Sequence, residues 1–339
     1  MTAQELKNAI LMRAVQGKLV PQDPNDEPAS VLLKKIRAEK EQLMKEKKIK
    51  KEPIAIIYKD PSDNQHYEKI GKTVKCIEDE IPFEIPESWE WCRLGTVITL
   101  LSGQDFQPQY YNSSSNGTPY MTGASNIEND TLVINRWTPQ PKNISHFGEL
   151  LLVCKGSGYG KTVINTVGDI HIARQFMSIT PYEGVSIDYI NLFLKAKLKE
   201  IKKNGQGVIP GIDRRSVLNL MIPIPTVNEQ PRIIEKYKTF DVKIDDYDSQ
   251  YSVLEKINVA MPQKLKASIL QYAIRGKLVP QNPDDEPASV LLEHIRAEKE
   301  QLIKEGKIKR DKNESYIYRG SDNSYYISFH GIDECIDDE

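Results

Sequence analysis

Near the N-terminus, apolar residues recur at helical spacing: Leu6, Ile10, Leu11 and Ala14 share one face, and Gly17 follows where a glycine commonly ends a helix. Three prolines, Pro21, Pro24 and Pro28, then exclude a continued helix and mark a loop. A second helix is predicted from Glu27-Pro28, with Pro28 near its first turn and Val31, Leu32, Ile36 and Leu43 as its apolar stripe. The lysine-rich run from Lys45 to Lys51 reads as its solvated end. Glu52 to Glu80 lacks a clear period, so an irregular connector with a small hairpin is expected there.

From Ile81 the pattern changes to short apolar runs (TVITLL, TLVIN, ELLLVC, TVINTV, FMSIT) separated by clusters of Gly, Ser, Asn and Pro. Runs of this kind, rich in Val, Ile and Thr, predict strands, with one helix, Ile187 to Lys202, among them. The expected fold class is α+β, with an antiparallel or mixed sheet over 81–228 whose long loops are the natural place for recognition residues. From Glu229 the apolar period becomes seven. Ile233, Tyr237, Phe240, Ile244, Tyr247, Tyr251 and Leu254 form a seam that resumes after Pro262 at Leu265, Ile269 and Tyr272. Such a stripe requires a partner helix, from this chain or from a second copy. Pro262 has no amide hydrogen and is expected to kink or restart the helix, while Asn258 falls on the seam.

The two ends of the chain repeat one another. LKNAILMRAVQGKLVPQDPNDEPASVLL from Leu6 returns from Leu265 as LKASILQYAIRGKLVPQNPDDEPASVLL, and about 34 of 48 aligned positions are identical at an offset of about 259. Cys76-Ile77-Glu78-Asp79-Glu80 returns as Cys335-Ile336-Asp337-Asp338-Glu339. The expected organisation is therefore a helical repeat (1–51), a connector (52–80), the unrepeated domain (81–228), a long spacer helix (229–277), and a second repeat with its connector (278–339).

Composition narrows the function classes. With 339 residues, 39% apolar and 28% charged, the chain is long enough for several packed units, and it holds no apolar run long enough for a membrane span, so a cytoplasmic protein is expected. Cys76, Cys92, Cys154 and Cys335 have no metal-ligand spacing and read as free thiols. His66, His146, His171, His294 and His330 are scattered, and no methylation, nucleotide-fingerprint, serine-elbow or zinc-helix motif is present, so no catalytic residue, metal or cofactor is expected. Lys155-Gly156-Ser157-Gly158-Tyr159-Gly160-Lys161-Thr162 is one residue too short for a phosphate-binding loop and is followed by a strand-like run. The net charge of -2 carries no global sign of nucleic-acid binding. Between Leu151 and Arg215, however, about ten basic residues face about five acidic ones. Gln104, Gln107, Asn126, Lys155, Ser157, Tyr159, Lys161, Arg174, Gln175, Lys203, Gln206, Arg214 and Arg215 are the candidate DNA contacts, because Arg pairs with guanine edges, Gln and Asn with adenine edges, and Lys and Ser hold phosphates. A helical adaptor whose central domain binds protein is the competing reading.

The repeat LKNAILMRAVQGKLV, the segment IPESWEWCRLG and the segment GVIPGIDRRSVLNLMIPIPTVNEQPRII together resemble the specificity (S) subunits of type I restriction-modification systems, over essentially the whole chain. The resemblance implies target recognition domains held apart by antiparallel helices, each reading one half of a split double-stranded DNA site. It implies no chemistry in this chain. Modification subunits would methylate adenine with S-adenosylmethionine, and an ATP-using restriction subunit would join them. A full member continues into a second IPESW-like segment, so this chain resembles one half, either a natural half-subunit that forms a homodimer through its long helix or a fragment. The family's common Asn-Gln after the central strand stands here as Arg174-Gln175.

Overall fold

The computed structural model describes residues 2–49, 53–156, 158–204, 211–311, 315–329 and 331–337, apart from the side chains of 198–204. The chain forms two compact units, 1–257 and 258–339. In the first unit, α1 (Ala3–Val15) opens with a capping box. Thr2 Oγ1 accepts from the Glu5 amide at 3.2 Å, and Glu5 Oε2 accepts from the Thr2 amide at 2.9 Å. Gly17 ends the turn at φ 69°, where a Cβ would also lie 2.4 Å from Pro86 Cγ. After the proline loop, α2 (Ala29–Lys45) buries Ala29, Leu32, Leu33 and Ile36.

The next stretch carries more structure than its sequence pattern predicts. β1 (Ala55–Lys59), β2 (His66–Ile70) and β3 (Thr73–Cys76) form a three-stranded antiparallel meander instead of an irregular connector with one hairpin. Its apolar alternation is faint because β3 is exposed along its whole length and only Ile57 and Ile77 reach the small core around Trp91.

The central domain begins with β4 (Glu90–Arg93), α3 (Leu94–Val97), β5 (Ile98–Ser102) and β6 (Thr118–Met121). Four two-residue strands follow: β7 (Ile127–Glu128), β8 (Thr131–Leu132), β9 (Trp137–Thr138) and β10 (Ile144–Ser145). Then come β11 (Leu150–Val153), β12 (Thr162–Ile164), β13 (Ile170–Ile172), β14 (Phe176–Pro181), α4 (Ile187–Asn204), α5 (Arg214–Leu218) and β15 (Met221–Ile224). One antiparallel sheet has the order β12-β11-β14-β5, and a mixed one the order β10-β13-β6-β9, with β13 and β6 parallel. β11 is buried on both faces: Leu150 and Leu152 belong to the main core, Leu151 and Val153 to a second core with Met121, Ile172 and Phe176. That is why ELLLVC is an unbroken apolar run. β4 pairs antiparallel with β15, so the start and the end of the domain are stitched together. The main core is continuous with the first repeat, joining Leu11, Ala14, Leu32, Leu33 and Ile36 to Trp89, Ile190, Phe193 and Ile222.

α6 (Glu229–Ile274) runs unbroken through Pro262, and the helix restart expected there does not occur. By the repeat offset, Pro262 takes the register of Ala3, the first residue of α1. The missing amide removes one ladder bond, a cost of about 3 kcal/mol that a 46-residue helix absorbs. The first part of its seam is already covered within the chain. Ile244 packs with Ala3 and Ile10 beside Tyr237 and Phe240, Ile233 enters the main core, and Lys7 Nζ meets Asp241 Oδ1 at 2.7 Å. The partner of these seam residues is therefore the short α1 and not a second long helix. Tyr247 and Leu254 are exposed, and the Tyr247 and Tyr251 rings stack at 5.8 Å.

The second unit reproduces the first repeat's elements. The end of α6 is followed by α7 (Ala288–Lys304) and the antiparallel meander of β16 (Ser315–Arg319), β17 (Tyr325–Phe329) and β18 (Ile332–Cys335). Gly276 takes φ 66°, as Gly17 takes 69°. Gln281 Nε2 donates to the Gly276 carbonyl, as Gln22 Nε2 does to that of Gly17. Only burial differs. Leu291, Leu292 and Ile295 are 57%, 50% and 49% exposed, where their twins Leu32, Leu33 and Ile36 are 3%, 1% and 1%.

Candidate nucleic-acid interface

Four loops leave the two sheets at one end and are laced to the turn between β13 and β14. The Gly103 amide donates to the Phe176 carbonyl at 3.1 Å, Gln104 to Ile172 at 2.9 Å, Ala173 to Met121 at 2.9 Å and Cys154 to Gln175 at 2.7 Å. Glycine is required where these backbones touch. A Cβ on Gly103 would lie 2.1 Å from the Ala173 carbonyl oxygen, while one on Gly123 would meet only the end of the Gln175 side chain, which can swing aside. The loop between β11 and β12 closes a hairpin, and Thr162 Oγ1 donates to Asn191 Oδ1 at 2.6 Å, so no phosphate-binding turn and helix follow it.

Of the residues expected to contact DNA, Gln104, Gln107, Lys155, Lys161, Arg174 and Gln175 are exposed on these loops. Lys155 also bridges to Gly211, and the Ile212 amide donates to the Cys154 carbonyl at 2.8 Å, bringing the start of α5 beside the same loop. Arg214 spends part of its guanidinium on the Leu100 carbonyl. Arg215 lines a cleft with Arg93, Lys197, Glu80 and Asp213. Tyr159 is half-buried against the main core. Asn126 is not a base reader. It is fully buried, its Nδ2 donates to the Val133 carbonyl and Asn135 Oδ1, and its Oδ1 accepts from Thr122 and the Gly123 amide. Its amide is saturated in holding the loop after β6, and nothing in the sequence distinguishes it from the exposed amides. Ser157 and Gln206 lie outside the described residues, as does the side chain of Lys203 on the last turn of α4.

Two residues of this end escaped the sequence pattern. The first, His171, is fully buried and stacks on Phe106, with ring centroids 4.3 Å apart. Its Nδ1 accepts from the amides of Lys142 and Asn143 at 3.3 and 3.2 Å, which places the proton on Nε2, donating to the Gln104 carbonyl at 2.8 Å. The second, Asp105, accepts the Arg174 amide on Oδ1 at 3.0 Å and meets Arg174 Nε through Oδ2 at 2.6 Å. An aromatic three residues after a loop glycine, and an acid beside a glutamine, were the only signals available.

Burial, opposed by the Gln104 carbonyl and Asp105 and helped by Lys142, holds the His171 pKa below its ordinary value near 6.5. The unfolded chain therefore takes up a proton below about 6.5 that the folded one refuses. The stability this residue confers is complete above that pH and is lost as pH falls below it. The thermal midpoint of unfolding should drop between pH 7.5 and 5.5, with a shallower drop in His171→Phe. Equal slopes in both proteins would show that the ring is protonated without penalty.

Comparison with known proteins agrees with this architecture. The family described as Type I restriction modification DNA specificity domain matches residues 86–256. The specificity subunits of the Escherichia coli type I restriction enzymes EcoAI and EcoEI are 32% and 31% identical over 91% of this chain. The matched region spans 58% and 57% of those relatives, so the chain covers little more than half their length. The crystal structure of an HsdS subunit from Thermoanaerobacter tengcongensis aligns with a TM-score of 0.44 at 23% identity, covering 58% of this chain and 47% of that one. No helix among the described residues is long and apolar enough to cross a membrane. With half of its length matched by the family's own domain, the chain belongs to the type I restriction-modification DNA specificity family.

Proposed function

We propose that this chain reads one half of a split double-stranded DNA target for a cytoplasmic type I restriction-modification complex and performs no chemistry itself. The observation that carries this reading is the convergence of exposed Gln104, Lys155, Lys161, Arg174 and Gln175 at one end of the domain that matches the family. Hydrogen-bonding side chains among exposed cations can grip phosphates and reach base edges together. Modification subunits that bind S-adenosylmethionine supply adenine methylation, and an ATP-dependent restriction subunit joins them. Nothing in the family match favours the adaptor reading.

A second copy of this chain is the proposed partner of the open part of the α6 seam, at Tyr247, Tyr251 and Leu254, and of Leu265 and Ile269 in the second unit. Exposed apolar stripes of this period are stable when another helix covers them. Two copies related by a twofold axis present two identical recognition domains, so the target is a split palindrome. Sequencing the methylome of cells that make this chain with its modification subunits tests both points. One split adenine-methylated motif is expected, palindromic if two copies pair. An asymmetric motif would reject the pairing, and no motif at all would reject the reading.

A further inference from the structure

We propose that Arg174 reads a single guanine through the outer edge of its guanidinium, and that Asp105 is the positioning residue that aims it; the inference rests on the DNA-reading function just proposed. Asp105 grips Arg174 twice, with one carboxylate oxygen on its backbone amide at 3.0 Å and the other on Nε at 2.6 Å. The amide bond fixes the root of the side chain, and the ion pair holds the guanidinium beside the carboxylate. The ion pair is made at Nε, and neither terminal nitrogen donates a hydrogen bond among the described residues. The side chain is 70% exposed. Two parallel donors on a planar fork match the O6 and N7 acceptors of guanine in the major groove.

Asp105 is itself held from both sides. Its neighbour Gln104 has its carbonyl on His171 Nε2 and its amide on the Ile172 carbonyl. Its other neighbour, Phe106, stacks on His171 and donates its amide to the Tyr120 hydroxyl at 3.1 Å. The carboxylate therefore sits on a rigid strut whose far end is a fully buried histidine. Such support is superfluous for a phosphate contact, which tolerates a swinging cation, and it is what a base contact needs. Charge points the same way. The Asp105–Arg174 pair is neutral as a unit, so it attracts phosphate weakly, while its two directional donors are undiminished. The exposed Lys155 and Lys161 on the neighbouring loop are better placed for the phosphates.

The test is methylome sequencing, together with duplex binding at several salt concentrations by the assembled complex, for the wild type, Arg174→Ala and Asp105→Asn. Asparagine keeps an oxygen for the Arg174 amide and removes the charge that holds Nε. Arg174→Ala should relax one guanine of the motif, with discrimination at that position falling about tenfold to a hundredfold and the rest of the motif kept. Asp105→Asn should relax the same guanine to a smaller extent. It should also steepen the dependence of log affinity on log salt by about 0.9, because the freed cation takes a phosphate. A merely structural role for Asp105 would lower affinity without moving one base position. If Arg174→Ala weakens binding equally on all sequences and reduces the salt slope by about 0.9, it holds a phosphate and the inference falls. It falls equally if both variants keep the wild-type motif. A wild-type complex that methylates no motif would instead bring down the functional reading on which the inference rests.

Discussion

Replacing Trp89 with Ala is expected to destabilise the 1–257 unit by about 3–5 kcal/mol. The indole is 3% exposed and meets the Tyr189 ring edge-on at 6.3 Å. Its Nε1 donates to Glu229 Oε2 at 2.6 Å, while Gln22 Nε2 donates to the other oxygen at 2.5 Å. One side chain thus ties the proline loop of the first repeat, the start of the recognition domain and the first turn of α6. Removing it leaves a cavity and also takes a donor from a carboxylate that is fully buried and whose pKa burial already pushes up. Trp89→Phe separates the two terms. It retains most of the volume and loses the N–H, so its cost should be about 1–3 kcal/mol. Urea unfolding followed by far-ultraviolet circular dichroism reads both. A Trp89→Ala cost under about 1 kcal/mol would mean that the three elements are held together elsewhere.

The same cluster marks where sequence reasoning succeeds and where it stops. IPESWEW could be recognised as the start of the domain, yet the buried Glu229 that anchors its tryptophan reads in the sequence as one more charged residue opening a long helix. Helices were legible because each buries one face against a partner and so carries a period: Leu32 and Ile36 in α2, Ile233 and Ile244 in α6. The β1–β3 meander was only half legible because it buries so few side chains. The seam of α6 was legible as a stripe, but not that its first part is covered by the short α1, since a heptad records burial and not what does the burying. Lys155, Arg174 and Gln175, picked out by residue type and local charge, are exposed on the loops. Asn126 was misjudged because an amide saturated within its own loop and one free to meet a ligand have the same letter. Its partners Thr122, Gly123, Val133 and Asn135 are all close in the chain, and only the folded loop aims them at its amide.

Leu33→Ala and Leu292→Ala are the same substitution at twin positions of the two repeats and should differ several-fold in cost. Leu33 is 1% exposed in the core shared by α2 and the recognition domain, and its truncation should cost about 2–5 kcal/mol. Leu292 is 50% exposed in the second unit, so the same change should cost under about 1 kcal/mol in this chain alone. Helix propensity cannot separate them, because the two helices share the sequence ASVLL and the same proline at the N-cap. What separates them is the cover. The first repeat's leucines lie beneath Trp89, Ile190, Phe193 and Ile222, and the second unit has no counterpart of those residues within itself. Adding the missing cover, as a second recognition domain or as a partner subunit, should therefore make Leu292→Ala costly while leaving the effect of Leu33→Ala unchanged. Hydrogen exchange of the α7 amides is the direct readout: slow only when the apolar face is covered, and accelerated by Leu292→Ala only in that state. Equal costs for the two substitutions in the isolated chain would mean that the second repeat already buries this face against another copy of itself.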